Sequence, residues 1–346
     1  MTIKTSAMVL LSVATLSVSA LARDHINIVG SSTVYPFTSY VAKDFHTKTN
    51  HPLPDVQSTG TGGGMKLFCA GVGLDTPDMT DASRPMKLSE YETCAKNGVT
   101  DITGMKVGFD GIAFAQSKSN GVIALTREQI FLALAKEVPS PDGKSLIKNP
   151  YKTWNEIDSK LPNRQITVYG PPTTSGTRDS FEEMVMEYAS NHFDAYGEQK
   201  GKYKEIREDD VYVPAAENDE LVVRALTRDV DAFGIFGYSY LEENGTKING
   251  ALIDGIEPNF ETISFGKYPI ARSLYIYIKN AHRSHVNGMD AFLKYYMNEK
   301  MVGTTGALRK IGLVPMHSDE YKEVQKAVLA KTKLSEAMVK KNTILP

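Results

Sequence analysis

The chain has 346 residues, of which 41% are hydrophobic and 23% are charged, a composition that supports a globular protein with a substantial core. Its 39 basic and 41 acidic side chains leave a formal net charge of −2, so it has no general positive field for nucleic acid or anionic membranes. The composition therefore disfavours electrostatic capture of a polyanion. Any anion site must depend on local hydrogen-bond donors and dipoles.

The first 22 residues have the pattern of a secretory signal peptide. Lys4 supplies a positive charge, Met8 to Val18 is an apolar run, and residues 20–22 match the small-x-small cleavage motif. The apolar run is shorter than the ~20 residues that a membrane-spanning helix needs. We therefore expect cleavage after Ala22, export to the periplasm or the medium, and no direct membrane insertion.

Strand-like and helical segments alternate through the rest of the chain. Apolar periodicity and capping residues predict the elements in chain order. The first part of the chain is predicted to form a strand over 26–30, a helix over 38–47, a strand over 55–59, a helix over 64–70 and a strand over 105–116. The rest is predicted to form a helix after the capping box at 126–129, a strand over 165–169, a helix over 177–188, strands over 233–236 and 274–278, and a mostly helical tail from residue 290. Residues 137–150 are predicted to form a surface loop. This order predicts an α/β protein with helices on both faces of its sheet.

Cys69 and Cys94 are the two cysteines of the sequence. In an oxidising compartment a sole pair usually forms a disulfide, and closing this loop would contribute roughly 3 kcal/mol of stability. The alternative is a pair of buried thiols. A metal site is disfavoured, because two cysteines without a nearby histidine pair supply too few ligands.

Three predicted strands end in runs of glycine, serine and threonine immediately before a helix. These runs occupy residues 30–33, 58–64 and 173–177. Helix N-termini present unpaired N–H groups and a partial positive charge, so each run is suited to binding an anion. A single run of this kind is also an ordinary helix cap. Three of them at the carboxyl ends of strands favour a shared ligand site.

The sequence contains no motif for nucleotide binding or catalysis that we recognise. The glycine run at 60–66 lacks the phosphate-loop pattern, because Lys66 is followed by Leu67. Neither a G-x-S-x-G nucleophile elbow nor an H-E-x-x-H metal motif occurs, and the seven histidines are scattered. We therefore expect a protein without enzymatic activity, cofactor or bound metal.

Eight segments of the sequence resemble the periplasmic phosphate-binding proteins of Pst-type ABC importers, and most closely their cyanobacterial and marine subgroup, which keeps a cysteine pair. In family order, these segments are VGSSTVYPF (29–37), STGTGGGMKLFCAG (58–71), DASRPM (81–86), VGFDGIAFA (107–115), LTREQI (125–130), TWNEI (153–157), VYGPPTTSGTRDSF (168–181) and DAFGIFGYSY (231–240).

The resemblance implies a two-lobed α/β fold of the type II binding-protein class, in which each lobe is a mixed sheet flanked by helices. Lobe I is expected to comprise residues 23–109 plus 267–346, and lobe II residues 110–266. The implied function is capture of inorganic phosphate by lobe closure and its delivery to the membrane permease of a Pst-type ABC transporter. The alternative is a binding protein for another tetrahedral oxyanion, such as sulfate, arsenate or molybdate.

The resemblance also implies a set of phosphate-binding residues. The matched positions are Ser32, Thr33, Val34, Thr61, Ser83, Arg84, Ser175, Gly176 and Thr177. Many relatives have an arginine four residues before the position of Ser175, where this sequence has Pro171. The positive charge must then come from elsewhere, and we expect Arg84 to supply it, with Arg178 as the second candidate.

Selection of phosphate over sulfate requires a hydrogen-bond acceptor, because phosphate carries a proton at neutral pH and sulfate carries none. We expect Asp110, in the FDG sequence at a predicted crossing between lobes, to be that acceptor. Asp81 and Asp179 are the other candidates. The alternative role for Asp110 is to cap a backbone turn.

Overall fold

The computed structural model describes residues 23–346 except 174, 198, 200 and 216–218, so the predicted signal peptide lies outside the described residues. The strands are β1 (Asn27–Gly30), β2 (Asp55–Ser58), β3 (Met79–Ala82), β4 (Ile102–Ser117), β5 (Ala124–Leu125), β6 (Glu137–Pro139), β7 (Leu146–Lys148), β8 (Val168–Gly170), β9 (Tyr212–Pro214), β10 (Phe233–Gly237), β11 (Ile248–Gly250), β12 (Leu252–Ile253) and β13 (Ala271–Lys279).

The α-helices are α1 (Tyr35–Lys48), α2 (Thr61–Phe68), α3 (Leu88–Lys96), α4 (Arg127–Leu134), α5 (Trp154–Ile157), α6 (Gly176–Phe181), α7 (Tyr188–Ser190), α8 (Asp219–Arg228), α9 (Tyr238–Glu243), α10 (Phe260–Ser264), α11 (Met289–Tyr296), α12 (Glu299–Val302), α13 (Ser318–Leu329) and α14 (Glu336–Lys340). A π-helix over Glu182–Glu187 joins α6 to α7, and 3₁₀ turns occupy Asp194–Tyr196, Lys202–Lys204, Asn280–His282 and Ala307–Ile311. No helix in the described part of the chain is both long and apolar enough to span a bilayer.

One mixed sheet organises the molecule, with strand order β2-β1-β3-β13-β4-β10-β8-β9 and with β11 also paired to β4. Residues 102–111 of β4 pair with β13, whereas residues 112–117 pair with β10 and β11. We call β2, β1, β3, β13 and residues 102–111 the first half of the sheet, and the remaining strands the second half. The predicted α/β class, with helices flanking a mixed sheet, is confirmed. The exact lobe boundaries stay a prediction.

The long strand β4 is the element shared by both halves. All but one of its 16 residues are buried. Its sequence is a nearly continuous run of apolar and small residues, as expected for a strand that is covered on both faces. Residue 110, the predicted crossing between lobes, lies beside the point where the pairing partner of β4 changes from β13 to β10.

Two sequence predictions about local structure need correction. Residues 137–150 do not form a plain surface loop, because β6 and β7 pair there as an antiparallel hairpin. Buried Val138 anchors this hairpin, and its turn is closed by a hydrogen bond from the Ser140 hydroxyl to Asp142. The predicted helix over 177–188 is helical, but its middle is a π-helix rather than one regular α-helix.

The predicted disulfide is confirmed, since Cys69 and Cys94 are bonded to each other. Cys69 follows the last residue of α2, and Cys94 lies within α3. Both are fully buried. The bond therefore links two helices that pack beside the first half of the sheet.

Candidate functional site

A cleft with a volume of about 460 Å³ receives segments that follow strands of both halves of the sheet. The residues that line it are Ser32, Thr33, Tyr35, Pro36, Phe37, Ser58, Asp110, Ser175, Gly176, Thr177, Gly237, Ser239, Tyr240, Ile311 and Gly312. Hydroxyl groups and glycine backbone dominate this surface. The cleft lies where open α/β sheets bind ligands, at the carboxyl ends of β1, β2, β8 and β10.

Residues 30–34 form the first turn at the cleft. Gly30 has φ +136°, and a Cβ atom there would lie 2.1 Å from the carbonyl oxygen of Asp81, so only glycine fits. The next backbone N–H, that of Ser31, donates to the same carbonyl oxygen at 2.9 Å. The Ser31 hydroxyl accepts from the N–H of Thr33 at 3.2 Å. This network directs Ser32 and Thr33 into the cleft.

Asp81, one of the candidate acceptors, supports this turn from the core. Its side chain is buried and accepts a hydrogen bond from the Thr38 hydroxyl at 3.1 Å. Thr38 lies in α1, and its hydroxyl is also 3.2 Å from the hydroxyl of Tyr296. Burial raises the pKa of Asp81 well above its ordinary value, against the opposing effect of Thr38. Asp81 is not among the residues that line the cleft.

Residues 175–177 form the opposite turn, at the N-terminus of α6. Ser175 caps the helix, because its hydroxyl accepts from the N–H of Thr177 at 3.2 Å. A Cβ atom on Gly176 would lie 2.9 Å from the carbonyl oxygen of Ser32, so glycine permits the two turns to touch. The sequence predicted both turns as anion-binding segments, and the structure brings them together.

Side-chain bonds also join the two turns. The Ser32 hydroxyl donates to the Asp179 carboxylate at 2.6 Å. The Thr33 hydroxyl lies 3.1 Å from the hydroxyl of Ser180. Asp179, a second candidate acceptor, is therefore already engaged by a hydroxyl from the opposite turn.

Asp110 lines the cleft and meets two groups that the sequence did not single out. The Ser180 hydroxyl donates to its Oδ2 atom at 3.0 Å, and Nε of Arg272 lies 3.8 Å from the same oxygen. Asp110 and Arg272 are directly opposite each other in the antiparallel β4–β13 ladder. Burial raises the pKa of Asp110, while Arg272 and Ser180 oppose this effect.

The two arginines expected to neutralise the anion are engaged in ion pairs. Arg84 forms a two-pronged interaction with Glu90, at 2.7 and 2.9 Å, while about a third of its side chain stays exposed. Arg178 is buried, donates to Glu182 at 2.7 Å and lies over the ring of Tyr212. Neither arginine is among the cleft-lining residues. Their roles as ligands stay predictions.

The remaining predicted ligands lie close to the cleft without lining it. Thr61 begins α2, and its hydroxyl is 3.1 Å from that of Ser83 and accepts from the N–H of Ser83 at 3.2 Å. The side chain of Val34 is fully buried at the N-cap of α1. Thr61 and Ser83 thus form a hydroxyl pair, and Val34 can offer only its backbone.

Sequence reasoning missed Arg272 and Ser180. Ser180 follows Gly176 by one helical turn, so helix periodicity within the predicted segment could have placed it beside the turn. Arg272 begins an apolar strand far along the chain, and nothing local connects it to Asp110. Its position depends on the register of β13 against β4.

The site is chemically suited to a partly protonated oxyanion. It combines hydroxyl and backbone donors from two helix N-termini with one buried carboxylate and one guanidinium. Among residues whose placement is described, no group of three or more His, Cys, Asp and Glu side chains could hold a metal ion.

Comparison with known proteins identifies the family. The sequence matches the PBP superfamily domain over residues 17–300. It is 29% identical over 299 residues to Protein SphX of Synechococcus elongatus, covering 84% of this chain and 77% of the relative. It is 28% identical over 302 residues to the phosphate-binding protein PstS of Staphylococcus saprophyticus, covering 86% of this chain and 82% of the relative.

A solved structure supports the same assignment. A possible phosphate-binding protein from Planctomyces limnophilus superimposes with a TM-score of 0.74 and 26% identity, over 90% of this chain and 99% of that chain. The family resemblance predicted from the sequence motifs is confirmed by these matches. The chain belongs to the PBP superfamily.

Proposed function

We propose that the protein is a periplasmic solute-binding protein that captures inorganic phosphate and delivers it to the membrane permease of a Pst-type ABC transporter. Similarity to the phosphate-binding protein PstS and to the possible phosphate-binding protein from Planctomyces limnophilus supports phosphate as the ligand. The observation that carries the proposal is the convergence of the 30–34 and 175–177 turns on one cleft that also contains Asp110.

The donors of the two turns bind the oxygens of the anion. Thr33, Ser175 and Thr177 offer hydroxyl groups, and Gly176 offers a backbone N–H at the start of α6. These groups lie at helix N-termini, where the partial positive charge favours an anion. Ser32 adds a further hydroxyl once it exchanges Asp179 for the ligand.

Asp110 distinguishes phosphate from sulfate. Its carboxylate accepts a hydrogen bond from the P–O–H group of phosphate, whereas sulfate has no proton to donate. Burial raises the pKa of Asp110 above its ordinary value, and the neighbouring Arg272 and Ser180 oppose this rise and so support the ionised form that the role requires. Burial of the carboxylate increases the penalty for an anion that leaves it without a donor.

Closure of two lobes accompanies binding. We assign lobe I to residues 23–109 plus 267–346 and lobe II to residues 110–266. The change of strand partner along β4 near residue 110 supports a crossing there. Phosphate then lies between donors from both lobes, and small-angle scattering with and without phosphate should reveal compaction. An unchanged radius of gyration in a phosphate-binding preparation would remove the closure step.

The proposed role is that of a receptor rather than an enzyme. The cleft presents donors and one carboxylate, but the described lining residues include no histidine or cysteine that could act as a nucleophile–base pair. Incubation with a phosphate monoester should therefore release no phosphate. Sustained release by the purified protein would contradict this assignment.

The direct test is a calorimetric titration of the ligand-stripped protein with phosphate and with sulfate. Phosphate should bind much more tightly than sulfate. Asp110→Asn should weaken discrimination against sulfate more than it weakens phosphate binding, because the amide can donate to an unprotonated oxygen. If Asp110 only caps a turn, the variant should melt at a lower temperature while its phosphate-to-sulfate ratio stays as in the wild type.

A further inference from the structure

The charge balance of the cleft points to a residue outside the predicted ligand set. Among the described residues that line the cleft, the charged side chain is Asp110, and no basic side chain is present. A phosphate ion with one or two negative charges would meet donors and a carboxylate but no compensating cation. Burying an anion beside a carboxylate without a compensating positive charge is strongly unfavourable.

Arg272 lies immediately behind the cleft-lining residues. One terminal nitrogen donates to the hydroxyl of Thr33 at 2.8 Å and also contacts the hydroxyl of Ser180. The other terminal nitrogen forms an ion pair with Glu183. Its Nε is buried, has no hydrogen-bond partner and lies 3.8 Å from Asp110. A buried guanidinium with an unused donor is a costly arrangement in the absence of a further acceptor.

The two acidic neighbours of Arg272 differ in exposure. The side chain of Asp110 is 12% exposed, whereas that of Glu183 is 52% exposed. Glu183 can therefore turn into water at little cost, because its carboxylate is already half exposed to solvent. Asp110 cannot leave its buried position without losing its partners.

We infer that Arg272 is the guanidinium that neutralises the bound anion and that it exchanges Glu183 for the ligand when the anion enters. The inference rests on the proposed function, since it assigns a residue to the same site. The planar guanidinium offers a fork of donors that matches two oxygens of a tetrahedral anion. Arg272 then bridges the anion and Asp110, so that the carboxylate accepts a hydrogen bond from the O–H group of the anion while the guanidinium compensates the charge.

With Arg272 in this role, the site would not require Arg84 or Arg178 to neutralise the anion. Arg178 is held in the interior by Glu182, and breaking a buried pair of that kind would leave an uncompensated charge. Arg84 is held by both oxygens of Glu90. Arg272 contacts two cleft-lining residues, Thr33 of the 30–34 turn and Asp110 of the sheet.

The experiment compares four variants with the wild type by calorimetric titration with phosphate, arsenate, sulfate and molybdate. Arg272→Gln should weaken phosphate binding by about 10- to 100-fold, the loss expected for a charge-assisted contact. Arg272→Lys keeps the positive charge but loses the planar set of guanidinium donors. Its affinity for phosphate should therefore lie between that of the wild type and that of Arg272→Gln. Arg224→Gln removes an exposed ion pair with Glu220 within α8 and serves as the matched control with unchanged affinity.

The direction in which Glu183→Gln changes phosphate affinity decides between the two possible roles of Glu183. If Glu183 competes with the ligand for Arg272, the amide should strengthen phosphate binding severalfold. If Arg272 and Glu183 only hold the structure together, the same substitution should weaken binding. Melting temperatures of all variants monitor folding, and if Arg272→Gln does not fold, Glu183→Gln alone decides.

Each outcome separates this inference from the proposed function. If the wild type prefers sulfate or molybdate, phosphate capture is wrong, and the variants are then judged with the preferred anion. Unchanged affinity in Arg272→Gln, or weaker binding in Glu183→Gln, would overturn the role of Arg272 while leaving phosphate capture intact. If the wild type binds none of the four anions, both proposals fail.

Discussion

The two turns that face each other across the cleft are fixed in different ways. The 30–34 turn is part of the sheet, because Ser31 is bonded to the backbone of β3 and Gly30 packs against it. The 175–177 turn instead begins a helical segment that changes to a π-helix after one and a half turns, and it contacts the first turn through Ser32 and Thr33.

This difference indicates which side of the site is the fixed one. Contacts within the sheet are made by backbone and core groups that a ligand cannot replace. Contacts between the turns are made largely by hydroxyl and carboxylate groups, which an entering anion can replace one by one. We therefore expect the 30–34 turn to stay in place during binding while the 175–177 turn moves toward it.

The largest effect should come from breaking the fixed turn. Gly30→Ala places a Cβ atom 2.1 Å from a backbone oxygen at a φ that other residues rarely adopt. Overpacking and backbone strain together should lower the free energy of unfolding by roughly 2–6 kcal/mol, measured by chemical denaturation.

The matched control is Gly62→Ala in α2, where an added Cβ would meet no atom within 4 Å. This change should be neutral or slightly stabilising, because alanine favours a helix more than glycine does. Equal stability of the two variants would show that Gly30 is not essential for the turn.

The second effect concerns the disulfide beside the fixed turn. Replacing Cys69 and Cys94 by serine opens a loop with a sequence separation of 25 and should cost roughly 3 kcal/mol of stability. Because Thr61, a predicted phosphate ligand, lies in α2, phosphate binding should also weaken. The loss of binding free energy should be smaller than the loss in the free energy of unfolding. Intact-mass analysis after alkylation without reductant checks the bond itself, and two alkyl adducts on the wild type would contradict it.

The third effect distinguishes the role of Asp81, whose carboxyl group supports the 30–34 turn from the core, from that of Asp110, the proposed acceptor in the cleft. Burial raises the pKa of Asp81 well above its unfolded value, so folding favours the protonated form. Its stability contribution is fully present below the unfolded pKa and is lost as the pH rises through the folded pKa. Asp81→Asn should remove this pH dependence and make the protein more stable than the wild type above the folded pKa of Asp81, measured by chemical denaturation over a range of pH.

Because Asp81 does not line the cleft, the same variant should keep the wild-type ratio of phosphate to sulfate affinity. Asp110→Asn serves as the comparison, since it is expected to change that ratio. A changed ratio in Asp81→Asn, together with an unchanged ratio in Asp110→Asn, would transfer the acceptor role to Asp81.

The parts of the site that the sequence predicted are those determined by local chemistry. Gly30, Ser32 and the Ser175–Thr177 segment follow strands and precede helices, and both features can be recognised within a few residues. The pairing of Arg272 with Asp110 could not be predicted in this way, because it depends on the register of two strands distant in the chain. The Thr38–Asp81 contact likewise arises from packing α1 against β3.

The same distinction applies to the fold. Long or strongly patterned elements such as β4 and α1 were predicted, with ends that differ by a few residues from those observed. The prevalence of Pro, Ser, Lys and Gly in residues 137–150 predicts a loop, although the short strands β6 and β7 pair within this segment. Hairpins of three-residue strands carry too little periodicity to be recognised from sequence alone.

The smallest expected effect tests the bonds between the turns. Ser32→Ala removes the hydroxyl that donates to Asp179, a contact that holds the movable turn against the fixed one without a ligand. A single hydrogen bond of this kind contributes about 0.5–1.5 kcal/mol, so stability without phosphate should fall only slightly.

The two possible roles of Ser32, as a ligand or as a contact between the turns, predict different phosphate affinities for the variants. If its hydroxyl passes from Asp179 to the anion, phosphate binding should weaken by up to about tenfold. If the hydroxyl only holds the turns together, Asp179→Ala, which removes its acceptor, should weaken binding as much as Ser32→Ala does, and that equality would show that Ser32 is not a ligand.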